Sequence, residues 1–151
     1  MTIAFEVKDA LVERTRAAPQ FARLNQDDAI WDSVYTDRLP KELIWFSDIK
    51  WVLGNEIVRV VPYEGYPDGE AFDISVFIES HWPADNQAQA NARVKEMYLS
   101  LKDLFSQSKS LGIQGVSMVK VVPLKFEEGM DANSGRGAIM SAVVRIVMLF
   151  D

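Results

Sequence analysis

The sequence predicts an α+β or α/β fold, with a single mixed β-sheet packed by an amino-terminal helix and one long crossover helix, ending in an antiparallel hairpin. Three observations predict it. An amphipathic pattern covers Ala4–Ala18. A strand-like run, Phe72–Glu79, leads into a second and longer amphipathic stretch. Two further strand-like runs, Val116–Phe126 and Ile139–Phe150, flank a polar segment.

The first helix is predicted over Ala4–Ala18, because apolar residues such as Val7 and Leu11 recur at helical spacing. Thr2 is suited to cap its first amides. Pro19 disfavours helical geometry in the residue before it, so the helix is expected to end there. A further short turn around Phe21 is expected to pack on the core.

Between residues 30 and 70 the pattern indicates short strands. Ile30–Tyr35 is expected to be extended, and Leu43–Phe46 to be a buried strand. Glu56–Val61 is rich in β-branched residues and predicts another strand. The following stretch, Pro62–Glu70, is dense in proline and glycine and predicts a turn or a protruding hairpin tip.

The long helix is expected to follow the strand at Phe72–Glu79, whose apolar and polar residues alternate. Its first amides can be capped by Asp85 or Asn86, and Gly112 is expected to form a left-handed C-cap. Because a strand, a crossover helix and a strand follow one another, the second strand, Val116–Phe126, is expected to pair in parallel through a right-handed connection.

The last two strands are expected to be antiparallel, because the polar loop Glu127–Gly137 is too short for a helical crossover. Ile139–Phe150 is apolar on both faces except at Ser141 and Arg145. Such a strand is either central in its sheet and covered, or covered by another subunit. The whole chain, 1–151, is predicted to form one domain.

Composition excludes several kinds of chemistry. The chain has no cysteine, which removes disulfides, thiolate catalysis and thiolate zinc sites. Its net charge of −6 argues against a dedicated nucleic-acid surface. No apolar run approaches the ~20 residues that span a bilayer, and the charged first turns lack a secretory pattern. We therefore expect a protein made and used in a cytoplasm.

Candidate chemistry is sparse. His81, the single histidine, is expected to be a turn residue packed on Trp82. A calcium-loop pattern that starts at Asp131 fails at its closing position, where Ala142 stands in place of glutamate. Gly135-Arg136-Gly137 lacks the lysine of a phosphate loop. We predict no catalytic residue, no cofactor and no metal.

Two acidic clusters lie on predicted tips, one in residues 64–70 and one in residues 127–131. Arg136, between two glycines, is expected to pair with acids of a neighbouring subunit. Aromatic residues on a tip also favour contact with a partner. The residues expected at subunit or partner contacts are Tyr63, Glu64, Tyr66, Asp68, Glu70, Glu127, Glu128, Asp131, Arg136 and Arg145.

The order and length of the segments resemble a known family. The relevant segments are Ala18-Pro19-Gln20-Phe21, Val34-Tyr35, Arg38-Leu39-Pro40, Asp73–Ile78 running into Gln87–Leu104, and the closing Ser141–Phe150. Together they resemble the small tail terminator, or tail-completion, proteins of long-tailed bacteriophages.

That resemblance implies a structural protein without enzymatic activity. It implies a homo-oligomeric ring, typically a hexamer, that caps the head-proximal end of the tail tube and stops its polymerisation. The implied partners are other copies of the chain, the tail tube protein and the head-tail connector, with no membrane and no sequence-specific nucleic acid. The implied location is the virion tail, assembled in the host cytoplasm.

Two alternatives stay open from the sequence. One is another phage neck or tail component, such as a head-completion or tube protein. The other is a regulatory α/β domain that binds a small molecule between its helix and sheet, since fold-level likeness alone does not determine function.

Overall fold

The structure, a computed structural model, describes residues 3–33, 41–51, 70–82, 86–107, 110–131 and 135–148. The helices are α1 (Ile3–Ala17), α2 (Ala22–Gln26) and α3 (Gln87–Ser106), and a short 3-10 helix spans Pro19–Phe21. The strands are β1 (Ile30–Trp31), β2 (Glu42–Trp51), β3 (Glu70–Trp82), β4 (Val116–Asp131) and β5 (Gly135–Met148).

The described strands form one mixed sheet in the order β1-β2-β3-β5-β4. β1 is parallel to β2, and the remaining neighbours are antiparallel. The predicted fold class is confirmed: the amino-terminal helix, the long crossover helix between β3 and β4 and the closing hairpin are all present.

The predicted pairing of the strands on either side of α3 was wrong in one respect. β3 and β4 run in the same direction, but they do not pair, because β5 lies between them. The β3–β5 ladder extends from Glu70 opposite Met148 to Trp82 opposite Arg136. A strand with apolar residues on both faces buries most of them when it has a neighbouring strand on each side. β5, the last strand, occupies such a position.

The helices cover one face of the sheet. α3 packs across β3, β5 and β4, and α1 packs on β1 and β2. Side chains from these helices join one hydrophobic cluster with sheet residues such as Ile74, Val144 and Ile146. The apolar side of α3 is Ala90, Val94, Met97, Leu101 and Phe105. We call the side of the sheet that faces away from α3 the second face. It carries Asp73, Phe77 and Glu79 of β3.

The carboxy-terminal end of α1 agrees with the sequence prediction, whereas that of α3 differs from it. α1 ends at Ala17, and Pro19 starts the 3-10 helix that places Phe21 in the core. α3 ends at Ser106, so Gly112 is not its C-cap. Gly112 instead has a φ of +69° in a following turn, where the Ile113 amide donates to the Ser110 carbonyl. The apolar stripe of α3 stops at Phe105, and the helix loses its packing there.

The predicted polar loop Glu127–Gly137 was also wrong. The ladder continues from Glu127 opposite Ile139 to Asp131 opposite Gly135, so the hairpin is longer than expected at both strands. Residues 123–129 of β4 are exposed. A strand without a covered face needs no apolar alternation, and its polar composition therefore imitates a loop.

Several expectations for the first half are confirmed only in part. β1 occupies the start of the predicted segment Ile30–Tyr35, and β2 extends the predicted strand Leu43–Phe46 to Trp51. The predicted strand Glu56–Val61 lies outside the described residues. So do the Thr2 cap and the predicted turn up to residue 69.

Tyr98 on α3 carries a buried hydroxyl without a hydrogen-bond partner among the described residues. Burial raises the pKa of this hydroxyl. Tyr98→Phe removes the unpaired group, so we expect the free energy of unfolding to stay equal or rise by about 1 kcal/mol at neutral pH. Urea unfolding measures this difference.

The same variant has a pH signature. Because the folded-state pKa is raised, the protonated tyrosine contributes fully below its unfolded value of about 10, and this contribution is lost as pH rises through the folded pKa. The parent should therefore lose more stability than Tyr98→Phe above pH ~10. Parallel stability profiles for the two proteins would contradict the assignment.

Candidate assembly interface

The structure describes some of the expected contact residues. Tyr63, Glu64, Tyr66 and Asp68 lie outside the described residues. Glu70 is described by its backbone, as the first residue of β3 opposite Met148. Of the two acidic clusters, only the one at residues 127–131, on the β4–β5 hairpin, lies wholly within the described residues.

At the hairpin the register brings four of the expected residues to one end of the sheet. Glu127 and Glu128 are exposed on β4. Glu127 forms an ion pair with Lys125, and Glu128 accepts a hydrogen bond from the Asn91 side chain of α3. Asp131 and Arg136 are described by their backbones, which belong to the ladder. This end combines charges of both signs.

Arg145 has a partner within the chain. Its Nε and Nη2 donate to the two carboxylate oxygens of Asp73 at 2.8 and 2.9 Å, across the β3–β5 ladder on the second face. Lys50 lies opposite Asp73 on β2, and Lys120 lies opposite Arg145 on β4. A row of three cations and one carboxylate therefore crosses four strands.

His81 belongs to a polar cluster that the sequence analysis missed. The Glu79 carboxylate accepts from Trp45 Nε1 at 2.5 Å and lies 3.1 Å from His81 Nε2. Trp45 also stacks on Phe77, with ring centroids 4.2 Å apart. The signal was the two-residue spacing of Phe77, Glu79 and His81, which puts all three on one face of a strand.

The opposite strand leaves room for the imidazole. Gly137 lies directly across from His81, and a Cβ at this position would stand 3.0 Å from His81 Nδ1. That nitrogen is buried and has no hydrogen-bond partner among the described residues. Hydrogen bonds hold the Glu79 carboxylate between Trp45 Nε1 and His81 Nε2. The Ser80 hydroxyl, on the other face of β3, accepts from Trp82 Nε1. These contacts fix the orientation of the His81 ring.

The β4 end of the sheet has an open edge. In the described sheet β4 has β5 on one side and no strand on the other. Pro123 fits this position, since proline cannot donate to a ladder and is found in edge strands. Leu124 and Phe126 are exposed here, by 63% and 44%.

A groove of about 300 Å³ lies between α3 and this edge. Its lining comes from Lys102 and Ser106 of α3 and from residues 119–123 of β4, which include Lys120. The lining contains two lysines and no acid. Lys102 is exposed on α3, whereas the register of β4 with β5 puts the Lys120 side chain on the second face, beside Arg145.

The β1 end of the sheet carries exposed acids. Asp27, Asp28 and Asp32 are exposed in and beside the turn between α2 and β1. Arg23, on α2, is the base next to them in sequence, which leaves a local balance of −2. The free side of β1 is capped, because Arg16 donates through Nε and Nη2 to the Ile30 carbonyl at 3.1 and 2.9 Å.

The described residues contain neither a metal-binding cluster nor a membrane-spanning helix. No group of three or more histidine or acidic side chains is close enough together to hold a metal ion in the described ranges. Within the same part of the chain, no helix combines the length and apolar character needed to cross a membrane.

The fold has a counterpart among solved structures. A chain in the virion of a native gene transfer agent particle aligns with a TM-score of 0.61 and 14% sequence identity. The alignment covers 95% of this chain and 94% of that chain. No protein-family model and no curated protein matches the sequence. At this identity the similarity establishes a shared fold over nearly the whole length.

Proposed function

We propose that this protein is a structural component of a phage-like virion, and more narrowly a tail terminator. In this proposal it forms a homohexameric ring that caps the head-proximal end of the tail tube, stops tube polymerisation and joins the tail to the head connector. The chain acts as one tail-terminator-like domain over residues 1–151 and works in the virion after assembly in the host cytoplasm.

The observation that carries the proposal is the near-complete structural overlap with a virion chain of a gene transfer agent particle. Both chains are covered almost end to end, so the likeness concerns a whole subunit and not a common supersecondary motif. Independently of the structure, the order of segments in the sequence resembles that of the tail terminator family.

The described surface is consistent with a protein that works by contact. Its partners would be other copies of itself, the tail tube protein and the connector. We place Tyr63, Glu64, Tyr66, Asp68, Glu70, Glu127, Glu128, Asp131, Arg136 and Arg145 at these contacts. Arg145 also bonds Asp73 within the chain. The proposal includes no catalytic residue, cofactor or metal.

The alternative within the same class is another neck or tail component, such as a head-completion or tube protein, which the virion chain supports equally at the level of fold. The two differ in stoichiometry and in what they block. A terminator forms a closed ring of fixed size, whereas a tube protein polymerises further.

Light scattering of the purified protein tests the ring. We expect one species of six times the 17.1 kDa chain mass, unchanged as the concentration rises. Added to polymerising tail tube protein, it should bind tube ends and halt growth. Filaments of this protein alone would support the tube alternative. A monomer or dimer at all concentrations, with no effect on tube growth, would contradict the ring.

A further inference from the structure

Two exposed apolar side chains lie on α1 and α3. Phe5 of α1 is 57% exposed, and Leu99 of α3 is 46% exposed. A single side chain of this kind is ordinary on a protein surface. These two differ from scattered ones, because the exposed charges that share a stripe of the helix with them have opposite signs.

Leu99 lies in a basic stripe of α3. Lys95, Leu99 and Lys102 are spaced by four and three residues, which places them on one side of the helix. All three are exposed. No ion pair of the described residues involves either lysine, whereas the neighbouring Glu96 is paired with Arg93. We call Lys95, Leu99 and Lys102 the basic stripe.

Phe5 lies in an acidic stripe of α1. Asp9 follows Phe5 by four residues and Glu6 by three, so the three side chains share one side of the helix. All are exposed, and no ion pair of the described residues involves either acid. The next acid on this side, Glu13, is already paired with Arg16. We call Phe5, Glu6 and Asp9 the acidic stripe.

The basic stripe lies on the flank of α3 that faces away from α1. Arg93 bonds Glu42 of β2, and α1 packs on β1 and β2, so the Arg93 flank is the one nearer α1. Lys102 is nine residues from Arg93, or two and a half turns, and therefore lies on the opposite flank. Its place in the groove with β4 agrees with this position. Glu96 and Asp103 lie between the two flanks.

The acidic stripe lies on the flank of α1 that faces away from α3. Arg14 reaches the turn after α3, because its Nη2 stands 3.6 Å from the position of a Cβ at Gly112. Phe5 precedes Arg14 by nine residues, again two and a half turns, and so it occupies the opposite flank. The two stripes are therefore at opposite sides of the helix layer.

We propose that the acidic stripe of one copy of this chain packs against the basic stripe of a second copy. In this contact Phe5 covers Leu99, and the acids of one stripe face the lysines of the other. This inference rests on the ring proposed above and names a surface through which its subunits join. Because the two stripes lie at opposite sides of a subunit, the contact is heterologous, which is the kind that closes into a ring.

The charges favour this pairing over a contact between like stripes. Two basic stripes would repel each other, and so would two acidic stripes. The chain as a whole has a net charge of −6, which opposes association except where exposed cations meet acids. Complementary charges also select the partner surface and its register. Such a contact is sensitive to ionic strength.

Charge reversal of each stripe tests the proposal. Lys95→Glu/Lys102→Glu makes both stripes of a subunit acidic, and Glu6→Lys/Asp9→Lys makes both basic. At low salt we expect each variant alone to need about tenfold more protein to assemble than the parent. All four positions are exposed, so each variant should stay folded. The second should melt slightly below the parent, because Glu6 lies in the first turn of α1.

An equimolar mixture of the two variants should assemble like the parent. In a ring of alternating copies, the introduced glutamates of one variant face the introduced lysines of the other, and the next contact has the native charges. A ring with an even number of subunits allows this alternation. The control Lys95→Arg/Lys102→Arg keeps the charge and the helix propensity at both positions and should also assemble like the parent.

A second measurement tests the apolar centre of the contact. Leu99→Ala removes an exposed side chain at a position where alanine favours the helix, so the separate subunit should unfold like the parent. At high salt, where the charges are screened, we expect this variant to need several-fold more protein to assemble. The control Leu124→Ala removes a leucine that is 63% exposed on β4, outside both stripes, and should not change assembly. Unchanged assembly of Leu99→Ala would overturn the place of Leu99 in the contact.

The outcomes separate this inference from the proposed function. If the parent is a ring and each charge variant alone assembles equally well at low salt, the stripes are not the subunit contact, and the ring proposal stands. If the variants fail alone and their mixture also fails, the pairing of these two stripes is wrong. If the parent itself stays monomeric at every concentration, both proposals fall.

Discussion

Phe105→Ala is expected to lower the free energy of unfolding by about 3–5 kcal/mol. Phe105 is fully buried near the end of α3 and belongs to the side of the helix that packs on the sheet. The loss combines the transfer of a large apolar side chain from water with the cavity that remains, because neighbours such as Leu101 are held by the sheet and cannot fill it.

The chain offers a matched control for this substitution. Phe5 on α1 is 57% exposed, and Phe5→Ala removes the same atoms at a site where alanine favours the helix. We expect its effect to stay within about 0.5 kcal/mol. Chemical denaturation of the two variants measures the difference. Equal losses would mean that α3 does not pack on the sheet as described.

Asp73→Asn is expected to cost about 1.5–3 kcal/mol, which is the range for hydrogen bonds to charged groups. Asp73 is largely buried and accepts two hydrogen bonds from Arg145 on the central strand. It is also the single carboxylate in a row with Lys50, Arg145 and Lys120. Its neutralisation leaves the three cations of this row, on β2, β5 and β4, without a carboxylate between them.

Substitution of the partner, Arg145, should lower the free energy of unfolding less. Arg145→Met removes one cation and leaves Asp73 with Lys50 opposite it, so we expect a smaller loss than for Asp73→Asn. Added salt should reduce the cost of Asp73→Asn, because part of that cost is repulsion between cations. A double-mutant cycle gives the coupling energy of the pair. Equal costs for both variants, independent of salt, would show that the flanking lysines contribute nothing.

Local pattern was sufficient for the existence of most elements. Helical spacing of residues such as Val7 and Leu11 located α1, and the alternation from Phe72 to Ile78, interrupted only at Phe77, located β3. Pro19 fixed the end of α1 through its own stereochemistry. These signals depend on a residue and its near neighbours in sequence, and so they survive without knowledge of the fold.

The order of the strands in the sheet and the lengths of the elements could not be predicted from local sequence patterns. The directions of β3 and β4 followed from the crossover, but the position of β5 between them is a property of the whole sheet. The hairpin itself continues through Glu127 because main-chain hydrogen bonds are indifferent to side-chain polarity. Alternation of apolar and polar residues indicates a strand with one buried face. The exposed part of β4 has no buried face, so its sequence lacks that pattern.

The same distinction applies to the candidate site. The sequence alone determined an acidic, cysteine-free chain with one histidine, and it predicted the fold class that the structure confirms. Only the tertiary structure gave Arg145 its partner Asp73, 72 residues away, and formed the groove between α3 and β4. Charge pairs and grooves form between residues that are distant along the chain, and their positions are set by strand order and helix packing, which local periodicity does not encode.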